Sequence, residues 1–477
     1  MTPERYELSL AVTDLLAAGL PVTAHVREPD GWRVITVDHL DQGFLGATLD
    51  SRQAAIDELF VALPGTRVHG RDFVGAALAG GAHALTDRAP ATVWGPAPGV
   101  VLETPEPLAA LTILSACWRG RMPVRVAGVT GSNGKTTTKD LLAAALAGAG
   151  LVHATRGNLN SAQGVPLSLL ELRREHRLAV IEMGASDVGH IANRCRIVCP
   201  EVGIITNAAD AHLEEFGSLD RIIEGKGELV AALPAHGTAI LNADSPGFAA
   251  WCERTPARVV SWGQDVGDHR WQWRPGDQAA PGTLSLDGAP WTVPVPGRHN
   301  GANLVAAILA ARALGLDDIT IAEGLATFRP SPHRAHLRRL GGRLVLDDAY
   351  NANPAGMEAA ASMLCDLPGG RAVAVLGHMA ELGDDTDQLH EDCGRALSAL
   401  PLDLLITTGP AAAPLARGFT AGGGAVVTCP GCEAAAAAVA DATTAGDRIL
   451  IKGSRSAGTE RVIAILQNDH DWTEVSA

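Results

Sequence analysis

The spacing of apolar positions divides the chain into three stretches. Over the first ninety residues short apolar runs alternate with polar turns, and the segment 90–107 then carries five prolines and two glycines, the composition of a linker. From Leu108 to about Gly315 the pattern becomes strand, loop, helix, repeated, with apolar runs at 124–129, 179–183, 202–206 and 238–241. Runs this short, apolar throughout rather than alternating, predict strands of a parallel sheet covered on both faces. Beyond Gly315 a second alternation places strands at 344–346, 372–376, 404–407 and 449–451, as in a dinucleotide-binding fold. The stretch 219–230 has helical period: Leu219, Ile222, Ile223, Leu229 and Val230 form its stripe, and Lys226 falls on that inward face. The expected architecture is α/β in three domains, 1–104, 105–315 and 316–477, with a mostly parallel central sheet and a Rossmann-like C-terminal part.

At 477 residues the chain exceeds one compact core. Its 38 basic and 53 acidic residues leave a net charge of −15, which argues against nucleic acid as a partner and leaves any anionic ligand to a local device. No apolar run reaches the roughly 18 residues of a membrane span, and Met1-Thr2-Pro3-Glu4-Arg5 lacks the basic-then-apolar form of a secretory leader. A cytoplasmic protein with no membrane partner is expected. The eight cysteines read as reduced, buried small hydrophobes, and Cys429-Pro430-Gly431-Cys432 has redox-motif spacing but stands alone.

The chemistry concentrates at Thr130-Gly131-Ser132-Asn133-Gly134-Lys135-Thr136-Thr137-Thr138, where an apolar strand meets an alanine-rich helix. Glycines at 131 and 134 let successive N–H groups turn inward on an anion, and the helix adds the positive end of its dipole. Lys135 would reach the β- and γ-phosphates and the Thr136 hydroxyl would hold Mg²⁺. Val129 stands where the general phosphate-loop pattern has its first glycine, so the match is to the shorter T-G-x-x-G-K-T-T form.

Polar residues just past the other apolar runs should converge on that loop, because ligands of open parallel sheets bind outside the carboxyl ends of the strands. Glu182 interrupts a strand near its end, where a carboxylate is costly unless it meets a cation; magnesium and a paired arginine are both open. His212, in the loop Thr206-Asn207-Ala208-Ala209-Asp210-Ala211-His212, is a metal or phosphate ligand or simply solvated. Lys226 needs a reason to face inward. Burial favours its neutral amine, which can add CO₂ to form a carbamate metal ligand, but a salt bridge to Glu182 or another buried acid ranks first on the residues alone. Asn300 and Asn303 suit an adenine edge or a helix cap. The acids Asp347-Asp348 end a strand and offer a ribose hydroxyl an acceptor, or are solvated. Lys452-Gly453-Ser454-Arg455 ends another strand in carboxylate-binding groups, which are equally common on surfaces.

In order, these segments resemble the Mur ligase family, ATP-dependent amide-bond-forming enzymes of peptidoglycan synthesis, over most of the chain. The resemblance also rests on Asp50-Ser51-Arg52, Asn158-Leu159-Asn160, Glu182-Met183-Gly184-Ala185, Lys226-Gly227-Glu228, Gly297-Arg298-His299-Asn300, Asp348-Ala349-Tyr350-Asn351-Ala352-Asn353-Pro354 and Met379-Ala380-Glu381-Leu382-Gly383, the last two looking most like the D-alanyl-D-alanine-adding branch. It implies an N-terminal α/β domain for a UDP-linked muramoyl peptide, with Ser51, Arg52 and Asn158 on the substrate, a central ATPase domain and a C-terminal ligase domain. By the same resemblance Gly131 to Thr137 bind ATP, and Lys135, His212 and Lys226 serve catalysis. Thr136, Glu182, His212 and Lys226 serve magnesium, Lys226 as a carbamate. Asn300 and Asn303 flank adenine, Asp348 the ribose and Arg334 the γ-phosphate, while Lys452, Ser454 and Arg455 bind substrate. A monomer working on small molecules is implied. Ser161, Gln163, His378 and the string Pro332-His333-Arg334-Ala335-His336 depart from the family pattern, which leaves open a related ligase acting on another nucleotide-linked substrate.

Overall fold

The computed structural model describes residues 4–65, 68–90, 94–95, 97–209, 216–276 and 282–474. They form two compact units. The first comprises Met1–Gly128, Gly150–Gly184 and Ala192–Glu201; the second comprises Val129–Ala149, Ala185–Ile191 and Val202–Ala477.

In the first unit six strands pair in the order Gly31–Ile35, Thr23–Glu28, Val100–Glu103, His83–Thr86, Leu59–Val61, Ala47–Thr48. The first three pair antiparallel and the rest parallel. Phe60, Val74, Leu78 and Val101 make their core. The expected linker is corrected here: Val100, Val101 and Leu102 are fully buried in mid-sheet, and the prolines flank the strand rather than loosen it. Helix Pro107–Arg121 follows, with Pro107 in its first turn, where the missing N–H costs nothing.

Strand β1 (Arg125–Thr130) starts in the first unit and delivers Val129 and Thr130 to the second, where α1 (Lys135–Leu146) begins. In the first unit Val152–Ala154 pairs in parallel with β2 (Leu178–Glu182), whose five residues are all buried, as a strand covered on both faces must be. In the second unit β3 (Val202–Ile205), Thr238–Asn242 and Arg258–Gly263 are parallel. A tryptophan-bearing antiparallel meander, His269–Pro275, Gly282–Leu286 and Ala289–Thr292, adjoins them and was not read from the sequence. Helix α2 (Leu219–Ala231) buries Ile222, Lys226, Leu229 and Val230, the expected face, and α3 (Arg298–Ala313) is packed along most of its length.

The remaining sheet of the second unit runs β4 (His336–Leu340), β5 (Arg343–Asp347), β6 (Arg448–Lys452), then Ala372–Leu376, Leu404–Thr408 and Val426–Cys429. Only the β4–β5 pair is antiparallel. The strand tips at Asp347 and Lys452 therefore open on the same edge.

Candidate active site

The turn after β1 has the geometry of an anion cradle. Gly131 sits at φ +146° and Gly134 at φ +79°, conformations that side chains resist. Space forbids side chains as well: a Cβ on Gly131 would lie 1.9 Å from Thr206 Oγ1, and one on Gly134 2.2 Å from Asn303 Oδ1. The N-cap of α1 is Gly134, which brings no side-chain acceptor to the first turn. Lys135 curls back across the turn and donates to the carbonyls of Gly131 (2.7 Å) and Ser132 (3.1 Å).

The loop after β3 fixes this shape. Thr206 Oγ1 donates to Asn133 O (2.6 Å), Asn133 N to Asn207 Oδ1 (2.9 Å), and Ser132 Oγ both donates to Ala209 O and accepts from Ala209 N. Thr136 is buried one residue into the helix and Thr137 is half-buried. Asp210 and His212, the continuation of that loop, lie outside the described residues.

Lys226 is 2% exposed, with Nζ 5.4 Å from the centroid of the Phe216 ring. Burial first, and the positive charge of Lys135 second, push its ammonium down to about 7. Two lysines thus bear on one region of the second unit. The salt bridge ranked first from sequence is not found for Lys226 among the described residues of that unit.

In the first unit Glu182 ends β2 at 1% exposure. Asn160 Nδ2 donates to its Oε1 (2.7 Å) and its own N–H donates to Thr155 Oγ1 (3.0 Å), while Oε2 is buried without a hydrogen-bond partner. An orphaned, buried carboxylate oxygen fits a cation ligand, and the arginine of the alternative reading is replaced by Asn160. Asn160 was quoted from sequence only as part of a string; Asn158, singled out instead, is exposed. Among the described residues no three His, Cys, Asp or Glu side chains gather as a metal centre; within the first unit the feature that fits a cation is the unpartnered Oε2 of Glu182.

Also in the first unit, Arg52 is 86% exposed on its side chain and forks onto Asp50 at 2.7 and 2.8 Å, beside half-buried Ser51. A cleft of about 500 Å³ lies elsewhere in that unit, lined by Arg71, Asp72, Arg88 and Trp94, none of which was singled out from sequence.

In the second unit Asn300 and Asn303 are buried on one face of α3, as their spacing requires. Asn300 Nδ2 donates to Pro296 O (2.7 Å), Asn303 Nδ2 to Asn300 Oδ1 (3.2 Å), and Asn303 abuts Gly134. At the edge formed by β5 and β6, Lys452 Nζ donates to Asp348 Oδ2 (2.6 Å) and Asn351 O (2.9 Å). Ser454 is buried and within 3.1 Å of Ser456 Oγ, which is 2.9 Å from His378 Nε2; Arg455 is exposed. Arg334 lies with its guanidinium 4.0 Å from the centroid of the Tyr350 ring. Asn353 Nδ2 reaches back to Asn133 Oδ1 (2.8 Å), joining this edge to the phosphate-loop turn.

A parallel-sheet protein with a phosphate loop, a buried lysine of depressed basicity and a second nucleotide-fold sheet is the framework of a nucleotide-dependent ligase. Residues 129–311 match the Mur ligase middle domain and residues 333–455 the Mur ligase glutamate ligase domain. The chain is 35% identical over 451 residues to the UDP-N-acetylmuramoyl-tripeptide--D-alanyl-D-alanine ligase of Escherichia coli, covering 88% of this chain and 93% of that one. The Synechocystis enzyme of the same name is 37% identical over 421 residues, covering 87% and 90%. Among solved structures, MurF from Acinetobacter baumannii superposes with a TM-score of 0.83 at 30% identity over 98% of this chain and 100% of that one. MurF ligase from Thermotoga maritima in complex with ADP gives 0.76 at 28% identity, covering 89% and 97%. The chain belongs to the Mur ligase family.

Proposed function

We propose that this protein joins D-alanyl-D-alanine to a UDP-linked muramoyl tripeptide, with cleavage of ATP to ADP and phosphate, in the assembly of peptidoglycan precursors. The observation that carries the reading is a sterically obligate phosphate loop, with Lys135 laid across it, in a chain similar over nearly its whole length to ligases of that one activity. Residues Gly131 to Thr137 hold the ATP phosphates, Asn300 and Asn303 lie toward adenine, Asp348 toward ribose and Arg334 toward the γ-phosphate. Ser51, Arg52 and Asn158 serve the nucleotide-linked peptide, and Lys452, Ser454 and Arg455 serve the carboxylates of the substrates.

The peptide's terminal carboxylate attacks the γ-phosphorus, ADP leaves, and an acyl phosphate results. The free amine of the dipeptide then adds to the acyl carbon, and phosphate departs as the amide forms. Lys135 neutralises charge that spreads over the phosphoryl oxygens, which is where positioned cations matter most in phosphoryl transfer. Glu182, His212 and the Thr136 hydroxyl would hold magnesium, which when bound would supply further positive charge to the phosphoryl oxygens. The neutral amine of Lys226 can add CO₂ with loss of a proton, and the resulting carbamate would offer magnesium a negatively charged ligand.

The same reading takes the chain as three functional domains, 1–104, 105–315 and 316–477, acting as a cytoplasmic monomer on small molecules. No helix among the described residues is long and apolar enough to cross a membrane. Phosphate release measured with ATP, magnesium, the UDP-tripeptide and D-alanyl-D-alanine should require all four. Release at a comparable rate without the dipeptide sinks the proposal, and a panel of other amines and nucleotide-linked acids tests whether His378, Ser161 and Gln163 have shifted the substrate.

A further inference from the structure

Arg334 sits between two residues in the left-handed region, His333 at φ +60° and Ala335 at φ +48°. Neither is glycine, and such conformations persist only where the surroundings over-determine them. The surroundings here are specific. Antiparallel pairing sets His336 opposite Asp347, so the residues before β4 lie beside those that follow β5. His333 Nδ1 is 2.9 and 3.1 Å from the two carboxylate oxygens of Asp347, which is 1% exposed. The carbonyl of His333 accepts from Tyr350 N (3.1 Å), and Ala335 N donates to Asp348 Oδ1 (3.0 Å). The other oxygen of Asp348 takes the Lys452 ammonium at 2.6 Å. The Tyr350 ring lies against the guanidinium. Each residue of the turn is thus tied to the loop 347–350, while the guanidinium has a ring beneath it to fix its plane.

We propose that His333 is a positioning residue: through Asp347 it holds the turn that aims Arg334 at the γ-phosphate of ATP. The proposal rests on the ligase reading above. A half-exposed imidazole is an expensive way to fill a left-handed position unless its contact matters, since glycine would take that backbone without strain. The carboxylate is anchored at a strand tip, so the imidazole ties the turn to the rigid sheet rather than to another loop.

The test is a double-mutant cycle on the full reaction. His333→Gly keeps a backbone that tolerates positive φ and removes only the tether, and is expected to raise KM for ATP about tenfold while KM for the UDP-tripeptide stays put. Arg334→Ala is expected to lower kcat/KM for ATP about a hundredfold. His333→Gly introduced into Arg334→Ala should then cost nothing further, because there is no guanidinium left to place. Additive losses in the cycle, or an unchanged KM for ATP in His333→Gly, overturn the proposal. Failure of the ligase reading is separate: it appears as no substrate-dependent phosphate release from the unsubstituted protein.

Discussion

Lys226 is the residue where sequence alone ranks a salt bridge above a carbamate, and where the family resemblance reverses that order. A helical period can show that a lysine faces inward, but only coordinates show its company within its unit, the face of the Phe216 ring and the positive charge of Lys135. With its ammonium pushed down to about 7, the amine is substantially neutral at neutral pH and nucleophilic toward CO₂. Lys226→Ala is expected to lose about a hundredfold in kcat and to regain part of it when a small carboxylate such as acetate is supplied. Below pH 7 protonation removes the nucleophile, so a carbamate signal in ¹³C NMR with labelled bicarbonate should be strong at pH 8 and weak at pH 6. Full activity in the alanine variant, or the same spectrum with and without Lys226, would remove the lysine from the mechanism. Glu182 was legible by the same logic of cost, whereas its partner Asn160 was not, because an amide carries no charge to betray a pairing across a fold.

Strand Val152–Ala154 carries His153 into the interior of the first unit, 3.0 Å from Ser168 Oγ and with its ring centroid 5.4 Å from that of His176. Burial above all, and then the neighbouring His176, push its imidazolium down to about 4. Between that value and the roughly 6.5 of an unfolded histidine, the unfolded chain binds the extra proton, so stability rises with pH across the window and is lost as pH falls through it. The loss is about 3 kcal/mol at most. Thermal unfolding at pH 7.5 and pH 4.5 should show His153→Gln gaining on the unsubstituted protein at the lower pH; parallel losses would show that His153 does not titrate as described. Element by element, the parallel strands were the most legible part of the chain, because burial on both faces writes an unbroken apolar run; Ala372–Leu376 was recovered to the residue. What escaped were elements whose signal is weaker or masked. Prolines on either side of Val100–Glu103 hid a central strand. The alternation of buried Trp271 and Trp273 with exposed neighbours in His269–Pro275 carried a period-two signal that went unread, although both rings pack against Gly301 in the helix bearing Asn300 and Asn303.

At the scale of the whole molecule the chain passes between its two units five times, so no single cut separates them. The proline-rich segment near residue 104 looks in sequence like a place to divide the protein, yet the helix just beyond it belongs to the first unit and is packed on what precedes it. Tyr6 stacks on Trp118 with ring centroids 4.8 Å apart, Arg121 reaches Asp14 at 2.7 Å, and Arg173 donates to the carbonyl of Leu45. A chain beginning at residue 105 keeps the phosphate loop and both lysines but exposes Trp118 and leaves Arg121 without its carboxylate. Domain boundaries that fall in exposed linkers with few crossing contacts permit independent folding, and this one is crossed by aromatic stacking and a charge-assisted hydrogen bond. Residues 105–477 expressed alone are therefore expected to aggregate or to lack a cooperative unfolding transition in calorimetry, and co-expression of residues 1–104 is expected to restore a soluble, ATP-binding complex. If 105–477 were monomeric and melted cooperatively, the stacking and ion pair across residue 104 would be incidental to the fold.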